Sequence, residues 1–220
     1  MIRINKNPEP GWLLKRKTHA ISKGKGSLSY DDLFDQDRIL LRKALIEEQG
    51  GLCCYCGRRI NTGNSHNEHF RPQSSYPDLA VDYENIHASC IRETKPNDIL
   101  HCGHAKKDKF DESCCMSPLE DDCEERFLYT LEGQILPKDK NDEKAKYMIE
   151  LLKLNAGPIL GRRKTVLAQV LPPDLLDNMS SDELQKLRSA YLERDENGCF
   201  QEFKQVLSRY IDQNMPAHAS

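Results

Sequence analysis

The sequence predicts an α+β protein in which a small zinc-stapled core of two strands and a helix follows an N-terminal helix and precedes a helical C-terminal part. Two observations predict the core. One is the presence of two cysteine pairs, Cys53/Cys56 and Cys90/Cys102, and the other is that these pairs bracket the polar residues Glu68, His69 and Asn85. Four thiolates suit a closed, tetrahedral structural Zn²⁺ site. A third observation, helical spacing of apolar residues on both sides of this region, predicts the flanking helices.

Length and composition indicate a soluble protein with a substantial core. The chain has 220 residues, a net charge of −3 and 30% charged residues, and no apolar run approaches the ~20 residues that span a bilayer. No apolar secretory segment follows Met1. Nine cysteines without an export signal are typical of a reducing compartment, where cysteines bind metals more often than they form disulfides. We therefore expect a cytoplasmic protein.

Charge is distributed unevenly along the chain. Residues 1–26 carry seven basic residues and one acidic residue, whereas residues 111–144 carry eleven acidic and four basic residues. Residues 1–30 are rich in Lys, Gly, Pro and Ser, so we expect an extended basic arm anchored by Trp12. Its cluster Lys15, Arg16 and Lys17 could contact a nucleic-acid backbone, although a solvated tail that binds nothing is equally compatible with so small a cluster.

The central part, residues 31–115, is predicted to contain four elements. Apolar residues recur with helical period over 35–49, and Gly50-Gly51 ends that helix. Residues 57–70 and 81–89 are predicted strands, and residues 103–109 a short helix. Two strands and a helix around a metal form the ββα-metal architecture.

The remaining part, residues 116–220, is predicted to be a β-hairpin followed by helices. The hairpin strands are 127–131 and 134–136, joined by Glu132-Gly133. Helices are expected over 142–154 and 159–170, after the capping-box residues Ser180 and Glu183, and around Phe200, Phe203, Leu207 and Tyr210. The apolar faces of these helices exceed what a small zinc core can cover, so this part is predicted to bind a partner.

The spacing Cys53-x2-Cys56 is compatible with a thioredoxin-like redox pair as well as with zinc. A preceding helix and the second pair, Cys90 and Cys102, favour zinc. Cys54 competes with Cys53 for one ligand position, but the x2 spacing favours Cys53. The remaining spare cysteines are Cys114, Cys115, Cys123 and Cys199.

Between the cysteine pairs lie residues suited to phosphodiester hydrolysis. The His69 imidazole could deprotonate water, and the adjacent Glu68 could hold a divalent cation with a second ligand from His104. Asn85 is suited to bond the backbone of the His69 loop. Three basic residues could contact nucleic acid: Arg71, Lys106 and Lys107. No role is assigned to His66, His87 or His101, although His87 and His101 lie close enough in sequence to replace His104.

Five central segments carry a family resemblance: Leu52–Gly57, Asn67–Pro72, Glu84–Ile86, Ala88–Cys90 and His101–Asp108. Further similarity lies in Met1–Ile4, Ser117–Glu120, Phe127–Ile135, Ile149–Asn155 and Arg162-Arg163. Together these segments resemble HNH endonucleases of the PtuB type, which belong to Septu anti-phage systems and also occur as retron-associated effectors. The resemblance covers most of the chain, and residues 172–220 are its least distinctive part.

The resemblance implies roles for the site residues. His69 would be the general base, Asn85 the middle HNH residue, His104 the last metal-binding position and Glu68 an acidic metal ligand. Many HNH proteins have His or Asn directly after the fourth cysteine, where this chain has Gly103. The expected ions are structural Zn²⁺ and catalytic Mg²⁺ or Mn²⁺.

The resemblance also implies partners. They are a PtuA-like ATPase of the ABC/SMC type and, in a retron, a reverse transcriptase with its RNA–DNA product. The expected function is metal-dependent cleavage of DNA or of an RNA such as tRNA in anti-phage defence. A catalytically silent zinc module that binds nucleic acid or a protein is the main alternative, and a thiol oxidoreductase is a third.

Overall fold

Two antiparallel β-hairpins and eight α-helices make up residues 1–215, the part of the chain that the computed structural model describes. The strands are β1 (Ser65–His69), β2 (Ile86–Cys90), β3 (Phe127–Tyr129) and β4 (Ile135–Pro137). The helices are α1 (Gly11–Ser22), α2 (Asp35–Glu48), α3 (Gly103–Lys106), α4 (Glu143–Leu151), α5 (Gly157–Val170), α6 (Pro173–Asp177), α7 (Ser181–Leu192) and α8 (Lys204–Asn214). The predicted mixture of a small sheet region and many helices is confirmed.

The N-terminal segment is not an extended arm, and that prediction is wrong. Met1 and Ile2 are buried, and the Ile2 N–H donates to the Cys54 carbonyl at 3.1 Å. The following helix α1 buries Leu13 and Ala20. The physical reason is that these apolar side chains are withdrawn from water only when the segment folds against the rest of the chain.

Helix α2 forms where it was predicted, within one residue at its C-terminus. Asp37 accepts a hydrogen bond from the Phe34 N–H at 3.2 Å, which caps the first turn. Leu41 and Leu45 are buried, and α2 packs against the β1–β2 hairpin. Gly50 has φ +61° immediately after the helix, a conformation that glycine adopts without strain.

The first hairpin pairs Glu68 with His87 and His69 with Ile86. Because side chains alternate across a strand, His66, Glu68 and His87 share one face of this hairpin. Strand β1 lies within its predicted range, 57–70, and β2 extends one residue beyond its predicted range, 81–89. Both strands are shorter than predicted. Asn85 was predicted on the second strand; it lies instead in a short 3₁₀ turn that ends one residue before β2.

The second hairpin and the C-terminal helices follow the predicted order. The Ser180–Glu183 capping box begins α7 as predicted. Helix α8 begins at Lys204 rather than near Phe200, because Phe203 adopts φ +60° and interrupts the helical path. The short helix α6 was not predicted.

Helix α8 packs its apolar face against the chain itself, so this helix does not offer a free apolar face to a partner; partner binding by residues 116–220 stays a prediction. Phe203, Leu207 and Ile211 are buried, and the Gln205 Nε2 donates to the Cys56 carbonyl at 2.9 Å. The large exposed apolar side chains lie mostly on or near α1 and the start of α2: Leu14, Ile21, Phe34, Ile39 and Leu40. One hydrophobic core joins the N-terminal, central and C-terminal parts.

Within residues 1–215, no helix has both the length and the apolar character that crossing a membrane would require.

Candidate metal centre and active site

The two cysteine pairs converge on one buried site. The Sγ atoms of Cys53, Cys56, Cys90 and Cys102 all lie within 4.8 Å of one another, and Cys56 Sγ is 3.8 Å from Cys90 Sγ. A tetrahedral zinc with Zn–S bonds of ~2.3 Å has sulphur–sulphur edges of roughly 3.8 Å. The predicted grouping of these four cysteines is confirmed, and they fit a structural Zn²⁺.

Three elements carry these ligands. Cys53 and Cys56 lie in the turn that follows α2. A hydrogen bond from the Gly57 N–H to the Cys53 carbonyl, at 3.0 Å, closes this turn. Cys90 ends β2, and Cys102 immediately precedes α3. The Cys102 N–H donates to the Leu152 carbonyl at 2.8 Å, so the site also joins the core to the end of α4.

Four buried thiolates would need a cation to offset their charge. Burial raises the pKa of the Cys102 thiol well above its usual value, and hydrogen bonds among the neighbouring sulphurs act in the same direction. A bound Zn²⁺ would offset the charge of the thiolates. Cys54 is also buried but lies outside the group, as the x2 spacing predicts.

Glu68 occupies the face of β1 that meets α3. One carboxylate oxygen, Oε1, accepts from the Tyr55 hydroxyl and lies 3.2 Å from Lys106 Nζ. The other oxygen, Oε2, is 3.2 Å from His66 Nε2. Burial alone would raise the pKa of Glu68, but the His66 hydrogen bond and the Lys106 charge lower it. The group is therefore a carboxylate at neutral pH.

His69 is held in one tautomer at the end of β1. Its Nε2–H donates to the Ala80 carbonyl at 2.8 Å, so the lone pair of the neutral ring is on Nδ1. The Tyr30 ring meets the imidazole edge-on at 4.8 Å between centroids. Burial lowers the pKa of His69 below its ordinary value of 6.5. A neutral imidazole with a fixed free nitrogen has the properties of a general base.

Asn85 makes the backbone hydrogen bonds that were expected of it. Its Oδ1 accepts from the Arg71 N–H at 2.8 Å, and its Nδ2 donates to the Arg71 and Leu79 carbonyls at 3.0 and 3.1 Å. Leu79 directly precedes Ala80, the partner of His69. Asn85 therefore fixes both the loop after His69 and the segment that orients its imidazole.

His104 lies near Glu68 but makes no hydrogen bond to it. Its Nε2–H donates to the Ile91 carbonyl at 3.0 Å. Between Glu68 and His104 lies His66, whose ring centroid is 4.4 Å from that of His104. Among residues 1–215, the potential metal ligands that gather in one place are the four cysteines, with His101 Nδ1 beside them at 3.3 Å from Cys102 Sγ, and this group includes neither Glu68 nor His104. The role of His104 as a metal ligand stays a prediction.

His66 is the residue that sequence reasoning missed. It stands two positions before Glu68 in a predicted strand, and that spacing places two side chains on the same face. The alternation of side chains along a strand could therefore have identified His66 as a neighbour of Glu68 from the sequence.

The basic residues that were predicted to contact nucleic acid divide into two groups. Lys106 is buried and bonds Glu68 and the His69 carbonyl, so its predicted contact with nucleic acid is wrong. The ammonium is drawn inward because a buried carboxylate needs a compensating charge. The other residues reach the surface: Lys15 and Lys107 are exposed, and Arg16, Lys17 and Arg71 pair with Asp37, Glu9 and Glu112.

Comparison with known proteins supports a nuclease of the HNH class. No family model matches the chain. A protein of Vibrio cholerae serotype O1 biovar El Tor, named "Retron Vc95 putative HNH endonuclease", is 28% identical over 182 residues, which cover 78% of this chain and 84% of that protein. The similarity supports the interpretation of this chain as a nuclease of the HNH type.

Proposed function

We propose that this protein is a metal-dependent HNH endonuclease that hydrolyses phosphodiester bonds of nucleic acid. The observation that carries the proposal is the pairing of a fixed, neutral His69 with the adjacent buried carboxylate of Glu68. Hydrolysis of a phosphodiester needs a base near neutral pH and a divalent cation. His69 supplies the base, and Glu68 offers an oxygen ligand for the divalent cation.

In the proposed mechanism, His69 Nδ1 takes the proton of the attacking water. The Ala80 carbonyl holds the other ring nitrogen, so the imidazole presents Nδ1 without a change of tautomer. Glu68 Oε2 would hold Mg²⁺ or Mn²⁺. The family resemblance implies His104 as the second ligand, but the His104 Nε2–H donates to the Ile91 carbonyl and His104 makes no hydrogen bond to Glu68, so the mechanism assigns His104 no contact with the cation. When bound, the cation neutralises charge on the phosphate and the departing oxygen. Asn85 keeps the His69 loop in place.

The four-cysteine site is proposed to be structural. A zinc ion with four thiolate ligands has no open position for substrate or water. It joins the turn after α2, the end of β2 and the start of α3. Strand β2 pairs with β1, which carries Glu68 and His69, and α3 carries Lys106, the partner of Glu68. The redox alternative requires an isolated Cys53/Cys56 pair, and two further sulphurs in the same cluster argue against it.

We further propose that the protein acts in the cytoplasm as the nuclease subunit of an anti-phage complex. The PtuB resemblance implies a PtuA-like ATPase of the ABC/SMC type as the partner. The name of the similar Vibrio protein adds support for a retron context, in which a reverse transcriptase and its RNA–DNA product would join the complex. The exposed apolar residues of α1 and the start of α2 are a better candidate surface than the covered apolar face of α8.

The test of the nuclease function is cleavage of supercoiled DNA and of total RNA with Mg²⁺ or Mn²⁺ titrated. His69→Ala should lower the rate by about 10²–10⁴-fold. His19→Ala, which removes an exposed imidazole from α1, is the matched control and should cleave normally. Zinc content and unfolding should match the wild type in both variants. Equal cleavage by His69→Ala and the wild type would contradict the role of His69, and a wild-type protein without cleavage activity would be better described as a silent zinc module.

The test of the proposed complex is co-expression with a neighbouring ATPase gene. Recovery of a stable complex at micromolar concentration is expected, and recovery of two separate proteins would contradict it.

A further inference from the structure

We propose that His66 is a ligand of the divalent cation, so that His66 and Glu68 hold it together from one face of β1. This inference rests on the proposed metal-dependent nuclease function and deepens it by naming the ligand set.

The hydrogen bonds of His66 leave one nitrogen for a cation. Its Nδ1 lies 2.6 Å from the Ile91 carbonyl, which can only accept, so Nδ1 carries the hydrogen. Nε2 of the neutral ring therefore presents its lone pair, and it points at Glu68 Oε2 from 3.2 Å. A ring nitrogen and a carboxylate oxygen at this distance share either a proton or a metal ion, and a bound metal ion would take the place of the proton. Histidines that bind metals commonly donate their other nitrogen to a backbone carbonyl.

The distance between the two donor atoms suits a shared metal ion. Adjacent ligands of an octahedral cation with bonds of ~2.1 Å lie about 3.0 Å apart. The corresponding tetrahedral separation is about 3.4 Å. The observed 3.2 Å lies between these values. The other oxygen of Glu68 is already bonded by Tyr55 and Lys106, which leaves Oε2 for the cation.

The backbone of α3 packs directly against His66 and Glu68 at Gly103. A side chain at Gly103 would bring its Cβ to 2.6 Å from His66 Nε2 and closer still to Glu68 Oε2. The Gly103 N–H is fixed by a hydrogen bond to Ser89 Oγ at 3.2 Å. The absence of a side chain at this position lets His66 and Glu68 approach each other beneath the helix.

His104 provides a matched control because it shares one partner with His66. Both imidazoles donate to the Ile91 carbonyl, which projects from a residue with φ +69°. Only His66 has a ring nitrogen in hydrogen-bond contact with Glu68. We therefore expect His104 to support the His66 ring by packing and not to bind the cation.

One imidazole and one carboxylate predict a preference among metals. Imidazole binds Mn²⁺, Co²⁺, Ni²⁺ and Zn²⁺ more readily than Mg²⁺, which prefers oxygen ligands. The site should therefore bind Mn²⁺ more tightly than Mg²⁺.

The experiment is a titration of the zinc-loaded full-length protein with Mn²⁺, followed by the electron paramagnetic resonance signal of free Mn²⁺, without nucleic acid. His66→Gln and Glu68→Gln should each weaken binding by about 10–100-fold, while His104→Gln should bind like the wild type. His66→Asp should retain binding and shift the preference from Mn²⁺ toward Mg²⁺. Zinc content should be unchanged in all four variants.

Unchanged Mn²⁺ binding by His66→Gln would overturn the inference, because His66 would then be only a protonated partner of Glu68. A larger loss in His104→Gln than in His66→Gln would also overturn it. Failure of the nuclease function has a different signature. A wild-type protein that binds Mn²⁺ through His66 but cleaves neither DNA nor RNA would contradict the proposed function and leave this site standing.

Discussion

The side-chain amide of Asn85 bonds both backbone groups of Arg71. The Arg71 N–H donates to Oδ1 at 2.8 Å, and Nδ2 donates to the Arg71 carbonyl at 3.0 Å. Asn155 makes the same pair of bonds to Ile135, at 2.9 and 3.0 Å, far along the chain in the second hairpin. The same pair of hydrogen bonds between an Asn side chain and one residue's backbone thus occurs twice, once beside the candidate base His69 and once away from it.

This relationship predicts different consequences for two equivalent substitutions. Asn85→Ala should lower the free energy of unfolding by about 1–3 kcal/mol, because the Asn85 side chain is buried and its backbone partners lose their hydrogen bonds. Asn155→Ala removes the same pair of hydrogen bonds from an exposed side chain and should cost less. Only Asn85→Ala should also slow cleavage, by about 10²-fold, since the His69 loop loses its position. Cleavage rates and urea unfolding of both variants provide the comparison. An equal loss of cleavage in both would show that Asn85 acts through general stability alone.

Folding should require zinc, and zinc binding should depend on the four clustered cysteines. We expect one Zn²⁺ per chain by elemental analysis, and Cys53→Ala should give zinc-free, unfolded protein because structural zinc contributes roughly 10–16 kcal/mol in small sites. Cys54→Ala removes a neighbouring buried sulphur that lies outside the cluster and should retain zinc. Well-folded wild-type protein without zinc would refute this prediction.

The buried ion pair between Lys106 and Glu68 should be a strong determinant of stability. Lys106→Met leaves the Glu68 carboxylate buried without its compensating charge and should lower the free energy of unfolding by roughly 3–5 kcal/mol. Lys107→Met changes an exposed neighbour and should have little effect. Adding Glu68→Gln to Lys106→Met should recover part of the loss, since it removes the unpaired charge. Additive losses in the double variant would contradict a direct interaction.

His87 should make the protein sensitive to acid. Its side chain is fully buried, neither ring nitrogen has a hydrogen-bond partner within the described residues, and burial holds its pKa well below 6.5. The unfolded chain binds a proton below its pKa of about 6.5, whereas the folded chain resists protonation. Stability is therefore complete above pH 6.5 and falls by up to about 1.4 kcal/mol per pH unit as the pH decreases toward the lowered folded pKa.

The measurement is urea unfolding at pH 7.5 and 5.5 for wild type and His87→Leu. The variant should lose less stability on acidification. Protonation of the zinc thiolates affects both proteins equally, so the difference between them isolates His87. The same pH dependence in both would exclude this role.

Local patterns in the sequence determined much of the fold. Apolar residues at helical spacing and the Gly50-Gly51 stop placed α2 within one residue of its observed end, and the Ser180–Glu183 capping box located the start of α7. The spacing of two cysteine pairs was sufficient to predict one thiolate cluster. These features succeed because caps, helical periods and x2 ligand spacing act between residues a few positions apart.

Only the tertiary structure decided where individual polar side chains point. Lys106 was predicted to face nucleic acid and instead turns inward to a carboxylate 38 residues earlier in the chain. His66 was assigned no role, yet the fold aims its free nitrogen at Glu68 because Ile91, at the far end of the hairpin, takes the other nitrogen. Burial of Met1 likewise depends on the remote Cys54 segment. Desolvation and pairing energies of such groups depend on neighbours that chain packing alone supplies, and no short sequence pattern specifies them.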